Sequence, residues 1–222
     1  MWYNHIQGRR KVKEMKYTVV DYDAWPRREV FEFFSGVSQP FYSVTYRLDV
    51  TPLYDFAHRH GVSFYLALTY LVTQAINSVE AFHYALLDGK LVRLERRMPS
   101  FTDLRPGSEN FHIVTIPADG DILEFCRAAK AKSAAQTQFI DMGSEGADLI
   151  FISSLPWLDL TALTNERDFD RDDAVPRIAW GRFVDEGGRK VLGMSLELNH
   201  RFVDGAHIGL FNDSLTRFLK AL

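Results

Sequence analysis

The chain has 222 residues, with 26 Lys and Arg against 29 Asp and Glu, for a formal net charge of −3. Nothing in that balance points to nucleic acid or an anionic membrane as a partner, and no apolar run approaches the roughly 20 residues of a membrane span. Hydrophobic residues make up 46%, and the only cysteine is Cys126, so no intrachain disulfide is possible and a cytoplasmic setting is expected. The opening MWYNHIQGRRKVKEMKY has basic residues but no apolar stretch after them, so it is not a signal peptide. Residues 1–14 are expected to form an extension outside the fold, with Met15 as an alternative start. No repeat or Pro/Gly/Ser-rich linker divides residues 15–222, which read as one domain.

In chain order, KYTVVDY is a short strand rich in β-formers. AWPRREVFEFF is a short helix with Pro26 near its first turn. YSVTYRLDVT alternates like a strand, and TPLYDFAHRHG is helical until Gly61. SFYLALTYLVTQAINSV has Ser63 as its N-cap and is apolar nearly all round, which predicts a buried helix. HYALLDGKLVRLE is a hairpin about Asp88-Gly89. NFHIVTIP is a strand, DILEFCRAAKAKSAAQ an amphipathic helix, and ADLIFISSLPW a buried strand ending at Pro156. DFDRDDAVPR reads as a solvated loop. RIAWGRFVDEGGRKVLGMSLELNH is a long hairpin turning at Gly187-Gly188, and AHIGLFNDSLTRFLKAL is a closing helix. Mixed strands and helices with hairpins give an α/β or α+β class: a mixed sheet flanked by helices in a two-layer sandwich.

The long final strand ends in a histidine. With a strand period of two, Leu192, Met194, Leu196, Leu198 and His200 share one face, and Gly193, Ser195, Glu197 and Asn199 the other. Alone, such a histidine is most often a satisfied core residue. Asp204-Gly205 follows it, opening a helix with Ile208, Phe211, Leu215, Phe218 and Leu222 at helical spacing. An aspartate there can cap the helix or pair with a cation, and Gly205 offers the backbone freedom of a tight turn. A rigid imidazole beside a fixed carboxylate suits a general base.

NHRFVDG resembles the HHxxxDG motif of the chloramphenicol acetyltransferase family. Three further blocks match in order: AWPRREVFEFF resembles the family's Trp-x-Arg-Arg-Glu helix, ISSLPW its Ser-x-Leu-Pro-Trp segment, and HYALLDGKLV, more loosely, its hairpin. The resemblance implies that His200 is the general base toward a substrate hydroxyl and acetyl-CoA the acyl donor. Ser153 would donate to the oxyanion, although residue type alone favours a strand-end serine bonded to backbone. Asp204 and Arg27 would form a bracing pair, where residue type alone makes Arg27 a surface cation. Trp157 would lie near the CoA arm or simply pack in the core. The resemblance also implies a homotrimer with sites between subunits, a small-molecule hydroxyl acceptor led by chloramphenicol, and no metal.

The departures concentrate at the acceptor side. Asn199 stands where the motif has its first histidine. Phe34 falls where the family has a tyrosine, Ala179 near its water-holding threonine, and Tyr42 near a pocket phenylalanine. An acyltransferase of the same fold acting on another hydroxyl or amine therefore remains the alternative. A non-catalytic member is disfavoured by the intact His200, Ser153, Asp204 and Arg27. A dihydrolipoyl acyltransferase core is disfavoured because no lipoyl domain or Ala/Pro-rich linker is present. Cys126 reads as a core thiol, not a nucleophile. None of the other histidines, His5, His58, His60, His83, His112 and His207, has metal-ligand spacing.

Overall fold

The computed structural model describes residues 15–144, 146–168 and 170–222; the expected extension over 1–14 lies outside them. The first half of the chain supplies β1 (Tyr17–Val19), α1 (Arg28–Ser35), β2 (Phe41–Asp49), α2 (Thr51–His60), α3 (Phe64–Asn77), β3 (Tyr84–Leu87), β4 (Lys90–Leu94), β5 (Met98–Leu104) and β6 (Phe111–Thr115). The second supplies α4 (Ile122–Ala135), β7 (Leu149–Leu155), β8 (Arg177–Gly181), β9 (Val184–Glu186), β10 (Arg189–Asn199) and α5 (Gly205–Lys220). A seven-stranded mixed sheet runs β2-β10-β8-β7-β5-β6, with β9 paired on β10. β7 is parallel to β5 and β8, and the other pairs are antiparallel. β1, β4 and β3 form a small antiparallel sheet.

Local chemistry explains the element ends. Ser63 caps α3, its Oγ accepting from the Leu66 amide at 3.4 Å, and most of that helix is buried. Asp121 and Glu124 form a reciprocal capping box on α4. The β3–β4 turn has Asp88 and Gly89 at φ 50° and 72°, and the β9–β10 turn has Gly187 and Gly188 at 57° and 83°. Two consecutive positive φ values let a two-residue loop follow the strand twist.

β5 was not expected from the sequence. Its run MPSFTDL is buried over Met98, Pro99, Ser100 and Phe101, so it lacks the alternation that marks a half-exposed strand. It lies between β6 and β7 inside the sheet, where both faces are covered and period-two patterning fades.

β10 is the spine of the fold. Leu192, Met194, Leu196 and Leu198 join the core cluster with α3 and α5. The opposite face is covered by the segment after β7, which approaches the sheet closely. A Cβ at Gly193 would stand 1.8 Å from the Leu160 carbonyl oxygen, and one at Gly181 2.4 Å from that of Leu158. Further along, Glu197 accepts from the Asn165 amide and from Arg167 Nε, both at 2.7 Å. Asp173 pairs with Arg177 at 2.9 Å, and Arg201 with Asp172 at 2.7 Å. The stretch expected as a solvated loop is therefore only partly solvated. Asp173 is drawn against β10 because the buried Arg167 and Arg177 need a counter-charge.

Candidate active site

The chain turns immediately after β10, and His200 is the first residue of the turn. It follows the last strand residue, Asn199. Its amide donates to the Pro40 carbonyl at 2.7 Å. Its ring stacks on Phe34, with centroids 3.9 Å apart and planes at 23°, and tilts against Tyr42 at 4.4 Å. Among the described residues, neither ring nitrogen is taken in a hydrogen bond, so aromatic contacts orient the imidazole and leave both nitrogens for chemistry. Burial and the nearby Arg27 charge hold its pKa below the ordinary value of 6.5, against the opposing pull of Asp204. The imidazole is neutral near pH 7, the state a general base requires.

Arg27, just before α1, braces this turn. Its Nη1 donates to Asp204 Oδ2 at 2.6 Å, its Nη2 to the His200 carbonyl at 3.1 Å, and its Nε to the Arg201 carbonyl at 3.2 Å. Asp204 both pairs with the cation and caps α5, accepting from the Ala206 amide at 3.1 Å. Burial opposes its ionisation, but Arg27, His207 and the Ala206 amide outweigh this and keep the carboxyl below its ordinary range. The Asp204 amide donates to His207 Nδ1 at 3.1 Å, completing a capping box. Burial lowers the His207 pKa, which keeps that nitrogen an acceptor. Gly205 does not have a positive φ, so the turn does not use the backbone freedom that a glycine offers. It is the first residue of α5, and the space a Cβ would take is open.

Tyr42 lies on β2 opposite Leu198, and its hydroxyl donates to the Val203 carbonyl at 3.2 Å. Burial first, then Asp204, pushes its pKa to about 12, so it remains a donor. Asn199 points away from His200. Its Nδ2 donates to the carbonyls of Arg171 and Asp173 at 2.9 and 3.0 Å, and its Oδ1 accepts from the Arg201 amide at 3.1 Å. It ties the covering segment to the turn after β10.

Ser153, Ala179 and Trp157 lie elsewhere. Ser153 is paired with Ala179 of β8, and Ala179 with Ser195 of β10. Ser195 is five residues before His200, so at the usual strand rise and spacing Ser153 lies roughly 15–20 Å from His200 within one chain. The Ser153 hydroxyl stands 3.3 Å from Thr102 Oγ1 and, among the described residues, is not tied to backbone as residue type alone suggested. Ala179 is buried, and Trp157 is 66% exposed just after β7, which excludes the core-packing reading. The fold thus unites His200, Phe34, Tyr42, Arg27, Asp204 and Asn199, and holds Ser153, Ala179 and Trp157 apart from them.

Sequence reasoning missed Thr102, because β5 was unrecognised, and the Arg167–Glu197 pair, whose members are 30 residues apart. Cys126 is buried, and burial raises its pKa to about 11, as a core thiol requires. Among the described residues no group of His, Cys, Asp and Glu is placed to hold a metal ion, and no helix is long and apolar enough to cross a membrane.

The family model for chloramphenicol acetyltransferase matches residues 15–216. The chain is 28% identical over 204 residues to chloramphenicol acetyltransferase 2 of Escherichia coli, covering 90% of this chain and 96% of that protein. It is also 28% identical to a chloramphenicol acetyltransferase of Staphylococcus aureus, over 90% of this chain and 94% of that one. A solved chloramphenicol acetyltransferase structure superposes with a TM-score of 0.84 at 25% identity, covering 92% of this chain and all of that one. With the brace, the turn and the mixed sheet in place, the chain belongs to the chloramphenicol acetyltransferase family of acyltransferases.

Proposed function

We propose that this protein transfers acetyl from acetyl-CoA to a hydroxyl of chloramphenicol, and that it works as a cytoplasmic homotrimer. The observation that carries the reading is His200: a neutral imidazole packed between Phe34 and Tyr42 with neither nitrogen hydrogen-bonded among the described residues. A ring nitrogen takes the acceptor hydroxyl proton as that oxygen bonds to the thioester carbonyl carbon. The resulting oxyanion is met by the Ser153 hydroxyl, a donor of the kind worth on the order of 10²-fold in rate. Collapse breaks the carbon–sulfur bond, and the imidazolium returns its proton to the thiolate, giving the acetate ester and free CoA.

The separation of Ser153 from His200 within one chain favours an assembly in which the base of one copy faces the oxyanion donor of the next. Trp157, exposed four residues after Ser153, fits a surface that a CoA arm or a neighbouring copy covers. Arg27, Asp204, Gly205 and Asn199 support the site without touching the reacting atoms. The single free thiol, buried Cys126, suits a reducing compartment.

A second reading has support from Phe34 and Ala179, neither of which carries the hydroxyl expected from the family pattern. Under it the acetyl chemistry is kept and the acceptor is another small alcohol or amine. Thiol release from acetyl-CoA, followed with chloramphenicol and a panel of alcohols and amines, tests both. Rapid release with chloramphenicol is the expected result. Release with another acceptor alone moves the assignment to the second reading, and no release with any acceptor refutes both.

A further inference from the structure

We infer that Thr102 is a positioning residue for Ser153, donating its hydroxyl proton into the serine oxygen so that the serine proton is aimed at the oxyanion. This rests on the reading of Ser153 as the oxyanion donor. β5 and β7 run parallel, with Phe101 opposite Ile152, so Thr102 and Ser153 are neighbours one residue further on. Their hydroxyl oxygens are 3.3 Å apart. On the other side Ser153 faces Ala179, which offers no donor, so Thr102 is the hydroxyl that fixes the serine rotamer from within the sheet.

Thr102 is itself anchored. Tyr65, from α3, donates its hydroxyl to the Thr102 carbonyl at 2.8 Å, and its ring packs against Phe101 and Trp180 at 6.0 and 5.5 Å. Burial raises the Tyr65 pKa, so the phenol stays a donor. Across β6, Thr102 is paired with Ile113. A serine hydroxyl has one proton and two lone pairs. Once its proton points at an oxyanion, a lone pair is left to accept from Thr102, and each bond in such a chain polarises the next. Without Thr102 the serine side chain is released among its staggered rotamers.

The test is steady-state kinetics of Thr102→Val and Thr102→Ser, alone and with Ser153→Ala, using acetyl-CoA and the best acceptor of the panel. Valine preserves shape and removes the hydroxyl. Thr102→Val should lower kcat about 3- to 10-fold, the worth of one net hydrogen bond, with KM and melting temperature unchanged. Thr102→Ser should restore the rate, and Thr102→Val should cost nothing further once Ser153 is alanine. Thr102→Ala serves as a second hydroxyl deletion should valine disturb the packing. Wild-type kcat in Thr102→Val beside a slow Ser153→Ala would overturn the inference and leave the role of Ser153 standing. So would a loss that multiplies in the double variant. A wild-type rate in Ser153→Ala would overturn the role of Ser153 itself.

Discussion

Replacing Arg27 by alanine removes three donors from one short turn: the bond to Asp204 at 2.6 Å and those to the carbonyls of His200 and Arg201 at 3.1 and 3.2 Å. The arginine side chain is 12% exposed and the aspartate 32%. Breaking a fully buried pair costs about 3–5 kcal/mol; with Asp204 a third exposed, water takes over part of its solvation and the lower end applies. The carbonyls can rehydrate, so each adds at most about 1 kcal/mol. A loss of about 3 kcal/mol corresponds to a melting temperature lower by roughly 6–12 °C in a domain of this size. Activity should fall with it, because the His200 carbonyl loses its anchor. The assay is thermal melting and thiol release for Arg27→Ala, Asp204→Asn and the double variant at pH 7.5. Because the two residues are in contact, the double variant should be more stable than the sum of the single losses implies, by more than about 1 kcal/mol. Strictly additive losses, or an Arg27→Ala protein with unchanged melting, would refute the brace.

Acidification should reduce both activity and stability. His200 and His207 have folded pKa values below their ordinary 6.5, so near and below that pH the unfolded chain binds more protons, and their contribution is fully present above about 6.5 and is lost as pH falls from there through the lowered folded values. A melting temperature that rises from pH 7.5 to 5.5 would contradict this. Asn199→Ala should cost about 1–3 kcal/mol, since the carbonyls of Arg171 and Asp173 and the Arg201 amide lose their partner; chemical denaturation with an unshifted midpoint would count against it. Gly193→Ala should destabilise by about 3 kcal/mol, because its Cβ would meet the Leu160 carbonyl at 1.8 Å; a variant with the wild-type denaturation midpoint would show that the crossing there is not tight.

Much of this was legible because the signals are local. The caps at Ser63 and Asp204, the Asp88-Gly89 and Gly187-Gly188 turns, and the strand ending beside His200 each follow from a few consecutive residues. The Arg27–Asp204 pair, 177 residues apart, was reachable only through the family resemblance, since no periodicity links positions so distant. β5 was hidden because a strand buried on both faces shows no alternation. The ionic layer over β10 was hidden for a related reason. Asp172 and Asp173 sit in a charged run that looks solvated; Arg177 belongs to the same run, but only the fold buries it with Arg167 against Asp173 and brings Arg201 to Asp172. Gly205 shows the reverse, a glycine read as supplying the freedom of a tight turn that occupies an ordinary helix start.

The central claim is that His200 is the general base, and the direct measurement is turnover of His200→Ala against wild type across pH 5.5–8.5, with acetyl-CoA and chloramphenicol. The account predicts a loss of about 10²–10⁴-fold, with acetyl-CoA affinity retained. It also predicts a wild-type acid limb, set by one group below 6.5, that is missing from the residual rate of the variant. A His200→Ala protein that keeps more than about a tenth of wild-type turnover, well short of the loss a general base implies, or that shows the same acid limb, would contradict it.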